Sequence, residues 1–85
     1  MFAQLIGYQK IDFNTKQGDR IVGTNLFIAS DDDNVRGRRT DKVFCSQKAV
    51  DCDLIVNHYY DVHINIRGKV EKVVYLGENN PIEID

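Results

Sequence analysis

Residues 2–30, FAQLIGYQKIDFNTKQGDRIVGTNLFIAS, decide the fold class. Before the stretch NTKQGD at 14–19, apolar and polar residues alternate with a period of two, which is typical of a β-strand, and strand-forming residues resume after it. The stretch itself offers Asn and Gly for left-handed backbone conformations, so we predict a β-hairpin. The alternation of its first strand places Leu5, Ile11 and Phe13 on one mainly apolar face, which we expect to pack on the core.

The second strand of this hairpin, residues 20–30, carries apolar residues on both faces. That pattern is expected for a curved strand shared between two packing surfaces. Gly23 lies inside the strand and indicates a bulge or a sharp bend. Bends of this kind allow a short sheet to coil into a barrel.

The last third of the chain predicts a second hairpin. Residues 59–67, YYDVHINIR, alternate again, Gly68-Lys69 is a candidate two-residue turn, and the strand returns over residues 70–77. A shorter β-prone segment, KVFCS, precedes this hairpin at 42–46. Residues 47–55 settle into neither period, so one helical turn and an irregular crossing fit equally well.

About five strands joined by hairpins, with no long amphipathic helix, predict an all-β fold. A small five-stranded barrel is the expected architecture, because closure removes most exposed sheet edges. An OB-like barrel fits the number and lengths of the strands, and an SH3-like barrel fits nearly as well. We expect one barrel domain at 1–78 and a polar, acidic tail at 79–85, where Pro81 ends any regular strand.

Composition and cysteine usage indicate the compartment. The chain of 85 residues has a net charge of −2, and its two cysteines, Cys45 and Cys52, match no zinc spacing. No secretory signal is evident, and no segment approaches ~20 consecutive apolar residues. We therefore expect a cytoplasmic protein with reduced thiols and no membrane partner. Homodimerisation is a further hypothesis, because so small a sheet gains stability by association.

Enzyme chemistry finds little support in the sequence. There is no glycine-rich phosphate loop and no nucleophile elbow. Cys45 follows Phe44 in a short strand, which favours a packing role over a thiol–imidazole pair. The acidic run Asp31–Asp33 lacks the ligand spacing of an EF-hand. We expect no catalytic residue, no metal, no cofactor and no small-molecule substrate.

The connection Asp31–Lys42, DDDNVRGRRTDK, predicts a long charged hairpin arm. Five basic residues against one acidic residue give residues 35–48 a local charge of +4. Positive charge is thus concentrated in the middle of an acidic chain, which favours a phosphate-bearing partner. The alternative is that the arginines only pair with Asp31–Asp33, although exposed pairs contribute only ~0–1 kcal/mol each.

Binding of single-stranded nucleic acid requires cations along the backbone path and aromatic rings on which bases stack. Tyr8 lies with Lys10 on the more polar face of the first strand, which makes it a better stacking candidate than an aromatic residue on the apolar face. Tyr59 and Tyr60 point to opposite sides of a strand, so at most one of them is exposed there. The predicted nucleic-acid-binding residues are Tyr8, Lys10, Arg20, Arg36, Arg38, Arg39, Lys42 and Tyr60.

Over roughly residues 5–77 the layout resembles the small single-stranded DNA-binding proteins of phages and plasmids, notably the filamentous-phage type. The resemblance lies in the long arm after the second strand and in the late hairpin YYDVHINIRGKVEKVVYL before a short tail. It implies an OB-like barrel, a homodimer, and cooperative binding of single-stranded DNA in replication without enzyme activity. By position, Arg36, Arg38 and Arg39 match the DNA-binding wing of that family, and Tyr8, Lys10 and Arg20 fall where its early-strand contacts lie.

The leading hypothesis is therefore a non-enzymatic single-stranded DNA-binding protein of phage or plasmid type. The alternative is a protein-interaction module, such as a virus-encoded inhibitor that uses the mixed-charge arm. A structural subunit that assembles by pairing of edge strands is a third possibility.

Overall fold

The structure, a computed structural model, describes residues 1–50 and 52–81. These residues form five β-strands and one short 3-10 helix at Gln47–Ala49, so the all-β class is confirmed. In chain order the strands are β1 (Phe2–Asn14), β2 (Arg20–Ser30), β3 (Arg39–Ser46), β4 (Tyr59–Ile64) and β5 (Val70–Gly77).

All five strands belong to one antiparallel sheet in the order β3-β2-β1-β4-β5. β1 is central because its long C-terminal part pairs with β2, whereas its N-terminal residues Phe2–Gln4 also pair with β4. β3 and β5 are the two edges. The edges approach each other across the core, but no ladder of paired strand residues joins them in the described chain, so the sheet is open.

The core lies on one side of this sheet and draws on every strand. Its buried members are Ala3, Leu5, Leu26, Ile28, Cys45, Ala49, Tyr60, Val62, Val70 and Val73. The segment after β3 covers part of the core, with Ala49 buried and Cys52 and Leu54 packed against it. The ambiguous segment 47–55 thus holds one short helical turn, while Asp51 within it lies outside the described residues.

A β-bulge at Ile6 reverses the two faces of β1. Leu5 pairs with Ile28 and Gly7 pairs with Phe27, so Ile6 is an extra residue in β1. Because side chains alternate from face to face, one extra residue moves everything beyond it to the opposite side. Leu5 is therefore only 1% exposed in the core, whereas Phe13 is 50% exposed on the other face. The prediction that these two residues share a core face is wrong.

The charged arm is shorter than the sequence indicates. β3 begins at Arg39, which pairs with Ser30, and the ladder continues until Lys42 pairs with Phe27 and beyond. Residues 39–42 have weak strand propensity, but pairing along β2 overrides local preference. The connection between the two strands is therefore residues 31–38, and Arg39 and Lys42 are strand residues.

The β1–β2 hairpin and the β4–β5 hairpin each close through a three-residue loop that ends in a glycine. In the β1–β2 hairpin the amide of Thr15 donates to the carbonyl of Asp19 (2.7 Å), and Gly18 has a φ of 89°. The β4–β5 hairpin repeats this arrangement, with Gly68 at a φ of 78°. Glycine is favoured there because a β-carbon disfavours the left-handed region. The predicted two-residue turn at Gly68-Lys69 is instead a loop of residues 66–68.

β5 ends at Gly77, before the predicted tail. Residues 82–85 of that tail lie outside the described residues. Within residues 1–50 and 52–81, no helix has the length and apolar character needed to span a bilayer.

Candidate nucleic-acid interface

Two of the predicted arm arginines hold the arm in place. Arg38 donates through Nη1 to Oε1 of Gln4 and through Nη2 to the carbonyl of Ala29 (3.2 Å), and its Nε lies 3.3 Å from a carboxylate oxygen of Asp31. Arg39 forms an ion pair with Asp32 in the arm, at 3.4 Å, and another with Asp41 in β3, at 3.1 Å. These contacts fasten residues 31–38 to β1 and β3.

The aspartates that open the arm shape its turn. A carboxylate oxygen of Asp32 accepts a hydrogen bond from the amide of Asn34 (2.9 Å), and the Asp32 carbonyl accepts one from Val35 (3.0 Å). This local capping is the usual role of aspartate at the start of a turn. Asp31 and Asp32 therefore hold a fixed connection, which explains acidic residues inside an otherwise basic segment.

Of the basic residues predicted in the arm, Arg36 and Lys42, the latter now in β3, are available for a ligand. Both are exposed, and neither side chain forms an ion pair or hydrogen bond with any residue that the structure describes. Of the four basic residues predicted in the arm, these two are thus free to bind an anion without first breaking a contact within the protein.

Tyr8 and Lys10 lie on the core side of β1, beyond the part of the sheet that the core fills. The bulge at Ile6 places them there. They line one wall of a groove of about 440 Å³, whose other wall includes Gln47 and Leu54. Tyr8 is 41% exposed, and the Lys10 ammonium makes no ion pair within residues 1–50 and 52–81.

Arg20 lies at the far end of the sheet from the arm. It binds Asp12 through two hydrogen bonds, of 2.9 Å and 2.7 Å. These bonds lower the pKa of Asp12 and raise that of Arg20. About ten residues of β2 separate Arg20 from Ser30 at the base of the arm, which corresponds to ~33 Å. The eight predicted residues are therefore spread along the molecule and do not form one compact site.

Tyr60 is part of the core, and this corrects its assignment as a stacking residue. Its ring is 2% exposed, and its hydroxyl donates to the carbonyl of Asp53 (2.6 Å) and accepts from the amide of Ile55 (2.8 Å). Burial raises the pKa of this hydroxyl. The ring also meets that of Tyr75 edge to face, with centroids 5.4 Å apart. A base cannot reach it in this conformation.

The structure reveals an aromatic surface that sequence reasoning missed. Phe13, Phe27 and Phe44 lie on three neighbouring strands on the side of the sheet opposite the core, and they are 50%, 38% and 42% exposed. Phe44 lies against Gly23, where a β-carbon would overlap its ring. Gly23 thus permits a close approach between strands, whereas the sequence indicated a bend. We call this side of β1, β2 and β3 the outer face.

The outer face carries no carboxylate beyond the bulge. Its side chains, given by the strand register, are Gln9, Ile11, Phe13, Ile21, Asn25, Phe27, Thr40, Lys42, Phe44 and Ser46. The acidic residues of these strands, Asp12 and Asp41, pair with Val22 and Ile28 and so belong to the opposite side. In a chain with thirteen acidic residues, this face is a local exception. Recognising it from sequence would have required knowing that a bulge sits at Ile6.

Comparisons with known proteins give no relative: no family model matches the chain, and no curated protein and no solved structure does. Among residues 1–50 and 52–81, no three histidine, cysteine or acidic side chains come together as a metal site would require. The surfaces described above therefore carry the functional inference by themselves.

Proposed function

We propose that the protein is a non-enzymatic, cytoplasmic single-stranded DNA-binding protein of phage or plasmid type, and that bases stack on its outer face. The observation that supports this proposal is the set of three exposed phenylalanine rings on a face without carboxylates. Stacking of a base on an aromatic side chain contributes roughly 1–3 kcal/mol and tolerates any sequence. A face without carboxylates also avoids repulsion of the phosphates.

The size of the outer face favours a nucleic-acid strand over a protein. Three strands at ~4.8 Å spacing make it about 14 Å wide, and residues 7–13 of β1 make it about 20 Å long. The resulting area, on the order of 300 Å², is well below the ~800 Å² per partner of a typical stable protein interface. It suffices for a few nucleotides, and an OB-fold binds roughly 4–16.

The proposed fold is an OB-like barrel. An OB-fold is a five-stranded, partly open barrel that binds oligonucleotides on the face of its second and third strands. The open five-stranded sheet, whose edges β3 and β5 approach each other across the core, is compatible with this architecture. The outer face includes β2 and β3, which is where such a fold would bind its ligand.

Two cations lie where phosphates of the bound strand would pass. Lys42 pairs with Phe27 on the outer face, and Arg36 lies in the arm that joins β2 to β3. Each phosphate neutralised by a cation releases counterions, so the slope of log affinity against log salt falls by ~0.7 per contact on a single strand. Binding should therefore weaken as salt increases.

The test replaces the rings and keeps the apolar volume. A Phe13→Leu, Phe27→Leu, Phe44→Leu triple variant should bind a fluorescent oligothymidine at least tenfold more weakly in anisotropy titrations, because loss of one stacked ring alone costs roughly 1–3 kcal/mol. Tyr75→Leu removes a 42% exposed ring on β5 and is the control, which should bind like the wild type. Because this ring contacts Tyr60 and its hydroxyl lies 2.7 Å from Nδ1 of His58, the fold of the control is also checked by circular dichroism. Unchanged affinity in the triple variant, with its fold intact by circular dichroism, would refute the proposed site.

The same titrations address the protein-interaction alternative. Single-stranded and double-stranded oligonucleotides are compared at low and at moderate salt. The proposal requires tighter binding of the single strand, because a duplex keeps its bases stacked away from the phenylalanine rings. Absence of any binding at low salt would reject the proposed function and favour a protein partner for the arm.

A further inference from the structure

Two turns of this protein have the same residue chemistry. Residues 35–38 read VRGR and residues 66–69 read IRGK, so each turn has a β-branched aliphatic residue, an arginine, a glycine and a second basic residue. The glycines share the left-handed backbone conformation, with φ of 87° at Gly37 and 78° at Gly68. The two turns connect different strand pairs, β2–β3 and β4–β5.

The sheet register places both turns at the same end of the molecule. Phe2, the first residue of β1, pairs with Asp61, so β4 continues past that end of β1 toward residues 66–69. Gln4 pairs with Ala29, so β2 leaves the same end toward residues 35–38. β2 and β4 flank β1 at Gln4 and are therefore about 10 Å apart there, and β4 continues beyond that point paired with β5 as far as Ile64.

Each turn exposes an aliphatic side chain beside an unpaired arginine. Ile66 is 103% exposed and Val35 is 39% exposed. The side chains of Arg36 and Arg67 form no ion pair or hydrogen bond with residues in the described part of the chain. A fully exposed isoleucine contributes nothing to the core, and in each of the two sequence-matched turns the aliphatic residue lies beside a cation, where both are accessible to a ligand.

The β4–β5 turn is held in a fixed shape. The side-chain oxygen of Asn65 accepts hydrogen bonds from the amides of Arg67 and Lys69, both at 3.0 Å. The amide of Asn65 donates to the carbonyl of Lys69 (2.8 Å). The arm is held by the contacts of Arg38, as described above. Binding by such preformed turns loses little conformational entropy.

We propose that residues 35–38 and 66–69 form a two-pronged site for the backbone of single-stranded nucleic acid. Arg36 and Arg67 bind phosphates, and Val35 and Ile66 pack against the bases or sugars between them. The site extends the outer face beyond Lys42 and rests on the proposed function. It also accounts for Ile66, which the outer face leaves unexplained.

The alternative ligand for such turns is an anionic membrane surface. Asp31 and Asp33 are exposed in the same connection as Val35 and Arg36. A flat surface of anionic headgroups that met the turns would also meet these carboxylates, which would oppose binding. A flexible single strand can touch the two tips and avoid them. The charge distribution therefore favours the strand.

The test removes the charged and the apolar side chains of the two turns in separate variants. Arg36→Gln with Arg67→Gln should weaken oligothymidine binding at least tenfold and reduce the salt slope by about 1.4, since two phosphate contacts are lost at ~0.7 each. Ile66→Ser should weaken binding several-fold with the salt slope unchanged, because it removes no charge. Lys16→Gln with Lys48→Gln removes equal charge elsewhere from exposed positions and should leave affinity within about twofold.

The outcomes separate this inference from the proposed function. If the prong variants bind like the control pair while the triple phenylalanine variant loses binding, the two-pronged site is rejected and the outer face stands. If the wild type binds no oligonucleotide, both are rejected. Vesicles of equal parts phosphatidylserine and phosphatidylcholine serve as the second probe. Vesicle binding that Ile66→Ser abolishes, with oligonucleotide affinity unchanged, would also reject the site and favour a membrane ligand.

Discussion

At the scale of single residues, side chains of the same type have different roles. Arg38 and Arg39 hold the arm against Gln4 and the aspartates, whereas Arg36, two positions earlier, is unpaired among the described residues. The sequence alone does not distinguish these three arginines, because they carry the same charge and lie within four residues of one another. Their roles separate only when the register of β3 fixes which carboxylates each guanidinium can reach.

The Cys45 thiol should make the free energy of unfolding depend on pH in the alkaline range. Its side chain is completely buried, and burial raises its pKa to about 11, from 9.0 for an exposed thiol. Between these values the unfolded chain has lost the thiol proton and the folded chain retains it. The contribution of this thiol to the free energy of unfolding should therefore be constant below about pH 9 and fall as pH rises from 9 to 11.

Urea denaturation across this pH range measures the effect. Cys45→Val conserves apolar volume and removes the titrating group, so its stability should fall less steeply above pH 9. Tyr60 contributes in the same direction, because burial also raises its pKa. Parallel pH profiles for the wild type and the valine variant would contradict a role for the Cys45 thiol.

At the scale of elements, the bulge in β1 decides what each side of the sheet presents. One extra residue, Ile6, keeps Leu5 in the core and directs Ile11 and Phe13 to the outer face. Without it, Phe13 and Leu5 would share a side, as simple alternation predicts. The outer face therefore exists because of one irregular position.

Deletion of Ile6 should destabilise the protein strongly. A continuous ladder would force either Leu5 out of the core or the remainder of β1 into reversed facing. Removal of one buried leucine side chain costs about 2–5 kcal/mol, so we expect a loss of at least that size in the free energy of unfolding. Ile6→Val keeps the bulge residue, which is 46% exposed, and should change stability by less than about 1 kcal/mol. Wild-type stability after the deletion would show that the bulge is dispensable.

At the scale of the whole molecule, the open sheet favours association. A chain of 85 residues buries only roughly 60–65% of its unfolded surface, and β3 and β5 remain edges that can pair with another chain. The proposed relationship to phage single-stranded DNA-binding proteins also implies a homodimer. In the proposed dimer, two outer faces would bind one strand, which would raise the overall affinity through avidity.

Light scattering coupled to gel filtration tests this proposal. We expect a mass about twice the 9.8 kDa of one chain at micromolar concentration, falling toward the single-chain value on dilution. A mass of one chain at every concentration would exclude the dimer while leaving binding by the outer face open to the oligonucleotide titrations.

Much of the fold could be predicted because its signals are local. Strand-forming residues at 20–30, alternation at 59–64 and glycines at 18 and 68 indicate strands and turns without reference to distant residues. The candidate site was much less accessible. Tyr8 is exposed as predicted, but its predicted facing is wrong, because the bulge at Ile6 places it on the core side of the sheet. The burial of Tyr60 depends on the Asp53 carbonyl and the Ile55 amide, which hydrogen-bond to its hydroxyl.

The sequence by itself determined the all-β class, the two hairpins and the concentration of basic residues at 35–48, because propensity, period and composition act over a few neighbouring residues. The tertiary structure decided the facing of β1 beyond Ile6, the pairing of Arg38 and Arg39, and the meeting of three phenylalanines on one side of the sheet. Those features depend on register between strands up to about thirty residues apart along the chain, and a shift of one residue in register reverses every face.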